Sequence, residues 1–341
     1  MLRSLLTAAL LSAPAQAFDG VRGEPVYQFT RGMPAPTRLL SRREALERLD
    51  AARPRFGHDA QAAKAPVRAP GEAFTVAVVG DGEPGRFFFE RIFPPPRDAY
   101  EDLLGKIAEQ RPDFTVQLGD FVSRATPRNY AAYLDLLERA ATVPLFHVIG
   151  NHDRQRTGKD PADKTFYKTL VGEATDRVID RGGWRFVFLD DSDSRLTDSQ
   201  LDWLDKALDT TMPSLVFMHI PPSYLYKRLD GKGREQGFGE DENPKTGYFN
   251  QGADRFRDIV SRRKVRRVYM GHIHAFGGAQ DRGVCYVLTG AGGSPTYPAK
   301  KHAALFKTHF LKLTLSGDAL SEEMHLLDGG SAPLASPCPE V

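Results

Sequence analysis

Apolar, β-branched runs that alternate with amphipathic segments limit the fold of this chain more than any other feature of its sequence. Residues Phe74–Val79 form a nearly continuous run of this kind, which is typical of a strand buried on both faces. Further strands are predicted at Phe114–Leu118, Leu145–Ile149, Trp184–Leu189, Ser214–His219 and Val265–Met270. Helices are predicted at Arg97–Gln110, Pro127–Ala141, Asp198–Leu208 and Gln251–Arg263. Because strands alternate with helices, the sequence predicts an α/β fold with a largely parallel sheet.

The sequence after Gly271 changes to β-rich runs. Strands are predicted at Val284–Leu288, Phe306–Leu315 and Leu320–Leu326. The Gly317-Asp318 dipeptide between the last two runs predicts a hairpin turn. The C-terminal half is therefore expected to add a second, mixed sheet.

The N-terminus has the three parts of a secretory signal peptide. A basic start at Arg3 precedes the apolar run Leu5–Leu11, and small residues end at Ala15-Gln16-Ala17. An ordinary packed helix is the alternative. The signal-peptide interpretation predicts a secreted or periplasmic protein with no membrane anchor after cleavage. The chain then divides into a signal peptide at 1–17, an N-terminal arm at 18–72 with a helix at Ser41–Ala52, one domain at 73–328 and a tail at 329–341.

The charge composition indicates no particular partner. The chain has 46 lysines and arginines against 44 aspartates and glutamates, so no overall field attracts it to nucleic acid or to anionic membranes. Its two cysteines, Cys285 and Cys338, lack metal-ligand spacing. Either they form a disulfide in an oxidising compartment or they remain free thiols. The sequence does not indicate an oligomeric state.

Residues of the kind that bind metals follow the ends of the predicted strands. They are Asp81, Asp120, Asn151, His219, His272 and His274. In α/β sheets the loops beyond the carboxyl ends of the strands form the ligand crevice, so these side chains are expected to meet there. Singly, each is more often a cap, a turn residue or a satisfied polar group than a ligand, but their joint occurrence favours a metal site. Carboxylate oxygens combined with imidazole nitrogens suit Mn, Fe, Zn or Co.

The order of these motifs resembles that of the calcineurin-like metallophosphoesterase family. The match consists of Gly80-Asp81, Gly119-Asp120, Gly150-Asn151-His152-Asp153, His219 and Gly271-His272-Ile273-His274. The resemblance implies a four-layer α/β/β/α sandwich of two mixed sheets flanked by helices, with two divalent or trivalent metal ions at one site. By this resemblance Asp120 bridges both ions. Asp81 and His274 would hold the first ion, whereas the ligands of the second would be Asn151, His219 and His272.

The same resemblance implies hydrolysis of a small phosphate ester by a hydroxide that bridges the two metals. His152 would protonate the leaving oxygen, and Asp153 would orient His152. A narrower interpretation is a nucleotidase or a cyclic-nucleotide phosphodiesterase. A third interpretation, from a different class, is a catalytically silent binding scaffold of the same fold. No nucleic-acid partner is indicated.

Two positions depart from the family's pattern. Glu83 stands where the family usually has a histidine, and either it binds the first metal or it faces solvent. Ser123 stands three residues after Asp120, at a position where purple acid phosphatases use a tyrosine. The sequence therefore disfavours the purple acid phosphatase variant of the family.

Two groups of residues outside these motifs each have two possible roles. The first group lies in the loop after His219 and consists of Arg228, Arg234, Tyr224 and Tyr226, and the second consists of the aspartates Asp190, Asp191 and Asp193. The arginines are candidates for binding substrate phosphate, and a solvated loop is the alternative. The tyrosines either stack on a base or anchor the loop. The aspartates either form turns and caps or approach the metals.

Overall fold

The structure is a computed structural model and describes residues 40–82, 99–155, 162–226, 247–294, 307–334 and 338. The predicted signal peptide and three candidate site residues, Glu83, Arg228 and Arg234, lie outside these ranges. Among the described residues, no helix combines the length and apolar character needed to span a bilayer.

Twelve strands and seven α-helices make up the described part of the chain. The strands are β1 Phe74–Val79, β2 Phe114–Gln117, β3 Leu145–His147, β4 Arg177–Arg181, β5 Trp184–Phe188, β6 Ser214–Phe217, β7 Arg267–Met270, β8 Phe276–Asp281, β9 Val284–Thr289, β10 His309–Ser316, β11 Ala319–Leu326 and β12 Ser331–Leu334. The helices are α1 Arg42–Phe56, α2 His58–Lys64, α3 Ala99–Glu109, α4 Pro127–Ala140, α5 Thr165–Val171, α6 Asp198–Ala207 and α7 Ala253–Arg262.

The strands form two mixed sheets of six strands each. The order in the first sheet is β12-β11-β10-β1-β2-β3, and in the second it is β4-β5-β6-β7-β9-β8. Strands β1, β2 and β3 are parallel, as are β5, β6, β7 and β9. Their carboxyl ends therefore present successive loops at one edge of each sheet.

Apolar side chains fill the space between the sheets and cover both outer faces. Phe114 of the first sheet packs edge-on against Phe186 of the second, with ring centroids 5.1 Å apart. Helices α1, α3, α4 and α5 cover the outer face of the first sheet, while α6 and α7 cover that of the second. The predicted four-layer α/β/β/α sandwich is confirmed.

The N-terminal arm packs onto this sandwich through helix α1. Ser41 and Glu44 form a reciprocal capping box at the start of the helix, which satisfies two backbone N–H groups. Leu49 is fully buried in the same apolar cluster as α4 and α5. Arg48 forms an ion pair of 2.6 Å with Asp135 of α4. Helix α1 is therefore part of the outer helical layer.

The first sheet continues past the domain end predicted at residue 328. Strand β12 pairs with β11, and Cys338 beyond it forms a disulfide with Cys285 of β9. Because β12 belongs to the first sheet and β9 to the second, the disulfide joins the two halves of the sandwich. The disulfide alternative for the two cysteines is the one that the structure adopts.

A buried histidine fixes the start of β10. His309 donates from Nδ1 to the carbonyl of Lys307 (2.7 Å) and accepts at Nε2 from the Thr289 hydroxyl (2.9 Å). Burial lowers the pKa of His309 to about 4. The native protein therefore holds this ring neutral under conditions in which the unfolded chain would protonate it.

Acid should destabilise the protein partly through His309. The folded-state pKa is depressed, so the stabilisation is complete above about pH 6.5 and is lost as pH falls toward about 4. Between pH 7 and pH 5, the wild type should lose about 2 kcal/mol more free energy of unfolding than the variant His309→Gln. Urea denaturation at both pH values measures this difference, in which contributions of other groups cancel. Equal losses in the two proteins would contradict the expectation.

Candidate metal centre

Five strands deliver the six predicted metal-binding side chains to one edge of the sandwich. From the first sheet come Asp81 after β1, Asp120 after β2 and Asn151 beyond β3. From the second come His219 after β6 and the pair His272 and His274 after β7. Asp81, Asp120 and His272 have positive φ angles of 53°, 53° and 70°. Such left-handed backbone is uncommon for these residue types and is concentrated at functional sites.

Four of these side chains converge on the position assigned to the second metal. Nε2 of His219 lies 3.2 Å from Oδ2 of Asp120 and 3.1 Å from Oδ1 of Asn151. The same nitrogen lies 3.3 Å from Nδ1 of His272. Atoms bound to one ion at about 2.1 Å stand about 3.4 Å apart in tetrahedral geometry, so these spacings fit a single metal ion.

The buried oxygen Oδ2 of Asp120 supports the same conclusion. It is inaccessible to solvent and accepts no hydrogen bond from the residues that the structure describes. This oxygen forms an ion pair with Nε2 of His219 at 3.2 Å, but a buried carboxylate oxygen that accepts no hydrogen bond is costly, and a bound cation would satisfy it. Ligand atoms of Asp120, His219 and His272 all lie within 4.8 Å of one another. The donor set therefore fits a metal ion.

The first-metal position contains Asp81 and His274, both fully buried. Nε2 of His274 lies 3.5 Å from Oδ1 of Asp81. The backbone N–H of His272 donates to both carboxylate oxygens of Asp81, at 3.0 and 2.8 Å. The described candidate ligands of this position are therefore one carboxylate and one imidazole, to which the family resemblance would add Asp120 as a shared ligand.

His219 and Asp120 shift each other's pKa at this centre. Burial lowers the pKa of His219, but the negative charges of Asp120 and Asp81 outweigh burial and raise that pKa to about 10. Burial raises the pKa of Asp120, yet His219 and His152 hold it well below its usual range. A metal ion would replace the proton of His219, because a ligating imidazole nitrogen must be deprotonated.

Backbone groups and a second carboxylate orient His219. Its Nδ1 donates to the carbonyl of Leu118 (2.8 Å), which leaves Nε2 directed at the metal position. Asp191 accepts from the backbone N–H groups of His219 (3.0 Å) and Ile220 (2.7 Å). Asp191 therefore holds the strand end that carries the ligand. Burial raises the pKa of Asp191 to about 7.

The other two aspartates of this cluster pair with cations. Lys164 contacts Asp190 at 2.7 Å and Asp193 at 3.1 Å, and Arg154 contacts Asp193 at 2.9 Å. Asp190 also accepts from the Ser192 hydroxyl at 2.7 Å. These contacts agree with the turn-forming alternative. Nothing in the local sequence connects Lys164 with the aspartates, since the contact depends on tertiary structure.

Asp153 has a different role from the predicted one of orienting His152. Its Oδ2 accepts from the backbone N–H groups of Asp120 (2.8 Å) and Gly150 (2.7 Å). Its Oδ1 accepts from those of Phe121 (3.0 Å) and Val122 (3.1 Å). The carboxylate thus joins the loop after β2 to the loop after β3, because both loops present backbone N–H groups that need an acceptor.

His152 is held by the β2 loop directly. Its backbone N–H donates to Oδ1 of Asp120 (2.8 Å), and its Nδ1 donates to the carbonyl of Ser123 (2.7 Å). A carbonyl can only accept, so the proton resides on Nδ1 and the Nε2 atom is the one that can exchange a proton. The orienting group that sequence analysis assigned to Asp153 is therefore the carbonyl of Ser123.

The close approach of the two loops requires a glycine. A Cβ atom on Gly150 would lie 2.2 Å from both the backbone nitrogen and Oδ1 of Asp120. No side chain fits at that distance, so the Gly150-Asn151 pair brings Asn151 next to Asp120.

The aromatic residues after His219 anchor the chain. The Tyr224 hydroxyl donates to that of Tyr286 (2.9 Å), and the Arg257 guanidinium lies 4.9 Å from the centre of the Tyr224 ring. Tyr226 packs edge-on against Tyr248 at 5.5 Å. These contacts agree with the anchoring alternative for both tyrosines.

Comparison with known proteins identifies the family to which this chain belongs. Residues 74–276, more than half of the chain, match the family model described as calcineurin-like phosphoesterase. The chain belongs to the calcineurin-like phosphoesterase family. This is the family that the order of the sequence motifs predicted. The family is generally metal-dependent, in agreement with the Asp and His cluster.

Several known proteins are similar to this chain in sequence or in structure. A probable cyclic nucleotide phosphodiesterase of Synechococcus sp. is 26% identical over 180 residues, which is 50% of this chain and 62% of the relative. The match thus spans less than two thirds of that relative's length. The purple acid phosphatase PPD1 of yellow lupin superposes with a TM-score of 0.55 at 16% identity, over 79% of this chain and 54% of the other. PhoD superposes with a TM-score of 0.52 at 12% identity, over 81% and 76%. These two structures share the fold.

Proposed function

We propose that the protein hydrolyses small phosphate esters with two metal ions bound at the edge of the sandwich. The observation that carries the proposal is the convergence of four side chains around one ion-sized position, where a buried oxygen of Asp120 accepts no hydrogen bond from the described residues. The four are Asp120, Asn151, His219 and His272. Asp81 and His274, whose Oδ1 and Nε2 atoms lie 3.5 Å apart, would supply the other position, with Asp120 as the ligand that the two positions share. Bound cations would polarise the phosphoryl group and acidify a water molecule.

The protein's own residues would position the ester and move one proton. His152 lies beside Asp120, and the Ser123 carbonyl fixes its Nδ1 proton. In this arrangement a protonated His152 can donate from Nε2 to a departing alcohol oxygen. Arg228 and Arg234, which follow the anchored Tyr224–Tyr226 segment in the sequence, are proposed to bind the substrate phosphate.

Replacing His152 should separate proton transfer from metal binding. The variant His152→Asn should lower kcat by about a hundredfold or more, because asparagine cannot titrate. Its metal content should remain near that of the wild type, because the His152 side chain is not assigned as a ligand. Steady-state kinetics and metal analysis of the same preparation test both expectations. The variant His325→Asn, on β11 where His325 stacks on Phe310, is the matched control. Unchanged turnover in His152→Asn would refute the proposed role.

The substrate class and the metals can be tested together. Protein stripped with EDTA and reloaded with Mn, Zn, Fe, Co or Mg should be assayed against phosphomonoesters and linear and cyclic phosphodiesters. Hydrolysis of cyclic nucleotides would support the narrower candidate, which the name of the Synechococcus relative favours. Binding of ligands without turnover under every metal would support the silent scaffold. The expected result is metal-dependent hydrolysis.

A secreted or periplasmic location is part of the proposal. The disulfide between Cys285 and Cys338 supports it, because disulfides persist in oxidising compartments and are rare in the cytosol. The predicted cleavage after Ala17 is tested by determining the N-terminus of protein recovered from the periplasm or the medium. Protein that stays in the cytosol with an intact N-terminus would contradict this location.

A further inference from the structure

At one edge of the first sheet, side chains occupy the place that a further strand would take, as far as the described residues show. Strand β3 forms this edge, β12 forms the other, and the backbone N–H groups of Leu145 and His147 point away from β2. The Leu145 N–H donates to Oε1 of Gln61 at 2.9 Å. The His147 N–H donates to Nε2 of His58, also at 2.9 Å. Both acceptors belong to the short helix α2 of the N-terminal arm.

The spacing of the two acceptors matches the spacing of the two donors. Residues three apart on a helix lie on one face with Cβ atoms about 5–6 Å apart. Alternate residues of a strand are about 6.6 Å apart and direct their N–H groups to the same side. His58 and Gln61 therefore bind Leu145 and His147 in the way that two carbonyls of a neighbouring strand would.

Both acceptor side chains are buried and fixed in place. His58 is fully buried, and its ring lies 5.7 Å from that of Phe146 and 6.0 Å from that of Phe188. Gln61 is 4% exposed and donates through Nε2 to the carbonyl of Arg55. Burial, followed by the charges of His147 and Arg177, holds the pKa of His58 well below its usual value. The ring is therefore neutral and its Nε2 can accept.

The strand covered in this way leads directly into the metal centre. His147 stands four residues before Asn151, and its own side chain and carbonyl are also bound from the helical layer. The Tyr133 hydroxyl contacts Nε2 of His147, and the Tyr167 hydroxyl donates to its carbonyl, both at 2.8 Å. Because the segment from His147 to Asn151 is short, we expect a displacement of β3 to displace Asn151 as well.

We propose that His58 and Gln61 are positioning residues for the second metal, acting through the edge of β3 on Asn151. The arm helix α2 is thus part of the machinery of the site, although neither residue touches the metal position. The inference rests on the proposed metal-dependent function. A purely structural cap, which only protects a sheet edge from pairing with other chains, is the competing explanation.

The test compares three variants of the full chain. His58→Leu removes the acceptor, His58→Gln retains one at the position of Nε2, and Asp59→Ala on the same helix removes an exposed ion pair with Arg177. Calorimetric titration of EDTA-stripped protein with Mn²⁺ resolves the two binding steps. In His58→Leu one step should weaken about tenfold while the other stays as in the wild type. Both steps should be normal in His58→Gln and Asp59→Ala.

Hydrogen exchange provides a readout that does not depend on metal or activity. The amides of Leu145 and His147 should exchange faster in His58→Leu than in His58→Gln. Wild-type affinity at both steps in His58→Leu would overturn the proposal, as would equal weakening of both steps. If His58→Leu does not fold, Gln61→Met should show the same selective weakening to a smaller degree. Wild-type protein that binds Mn²⁺ without hydrolysing any ester would refute the proposed function. The comparison of Mn²⁺ affinities between the wild type and the His58 variants would still decide the positioning role.

Discussion

Asp120→Asn should lower kcat by about a thousandfold or more and should remove tightly bound metal from both positions. Asparagine keeps an oxygen that can accept the His152 N–H, so the loop geometry should survive. It replaces Oδ2, which faces Nε2 of His219 at 3.2 Å, with an amide nitrogen, which cannot bind a cation. It also removes the negative charge that raises the pKa of His219. Metal content after dialysis and kcat on the same preparation measure the effect.

A carboxylate at the opposite end of the same strand provides the control. Asp113 precedes β2, is 8% exposed, and binds Arg68 and the backbone N–H of Thr75. Asp113→Asn should cost stability without changing the metal content. Normal metal content in Asp120→Asn would contradict the assignment of Asp120 as the shared ligand.

Removal of the disulfide should have the largest effect on stability. The Cys285–Cys338 bond closes a loop with a sequence separation of 53 residues, for which chain entropy predicts about 4 kcal/mol. The double variant Cys285→Ala/Cys338→Ala should therefore lose about 4 kcal/mol in free energy of unfolding, measured by urea denaturation without reductant.

Adding reductant separates the effect of the disulfide bond from the effect of replacing the two side chains. Reductant should lower the free energy of unfolding of the wild type nearly to that of the double variant, and it should leave the value of the double variant unchanged. A loss below about 1 kcal/mol would show that the unfolded chain gains little freedom when the bond is absent. Turnover at a temperature where both proteins are folded should be similar, because the bond lies in the inter-sheet core.

The strands at the centre of each sheet could be predicted because both of their faces are buried. Runs such as Phe74–Val79 are apolar except at Thr75 and predict a buried strand without further context. Strands β4, β8 and β12 were not predicted from the sequence, and all three lie at sheet edges. Strand β8 contains Gly277 and Gly278, and β12 contains Pro333, residues that weaken the strand signal. At these edges, pairing with a neighbour outweighs local propensity.

The convergence of the candidate metal ligands could be predicted because parallel strands present their ends at one edge. The groups that orient them could not, since their partners are distant in sequence. His219 donates to the carbonyl of Leu118, which is 101 residues away, and backbone carbonyls carry no sequence signal. Asp153 was singled out for its place in a motif, but its four backbone contacts depend on the fold. The cysteine pairing likewise required the distance between two chain segments.

Neither metal position is built from one sheet alone. Asp81 and Asn151 come from the first sheet and are completed by His274 and His219 from the second. A relative displacement of the sheets by a few tenths of an ångström would change the ligand distances at both positions, and metal coordination tolerates errors of only about 0.2 Å. The affinity for metal should therefore depend on how the two sheets are aligned. Substitutions among the buried aromatic rings between the sheets, far from any candidate ligand, are expected to alter metal binding.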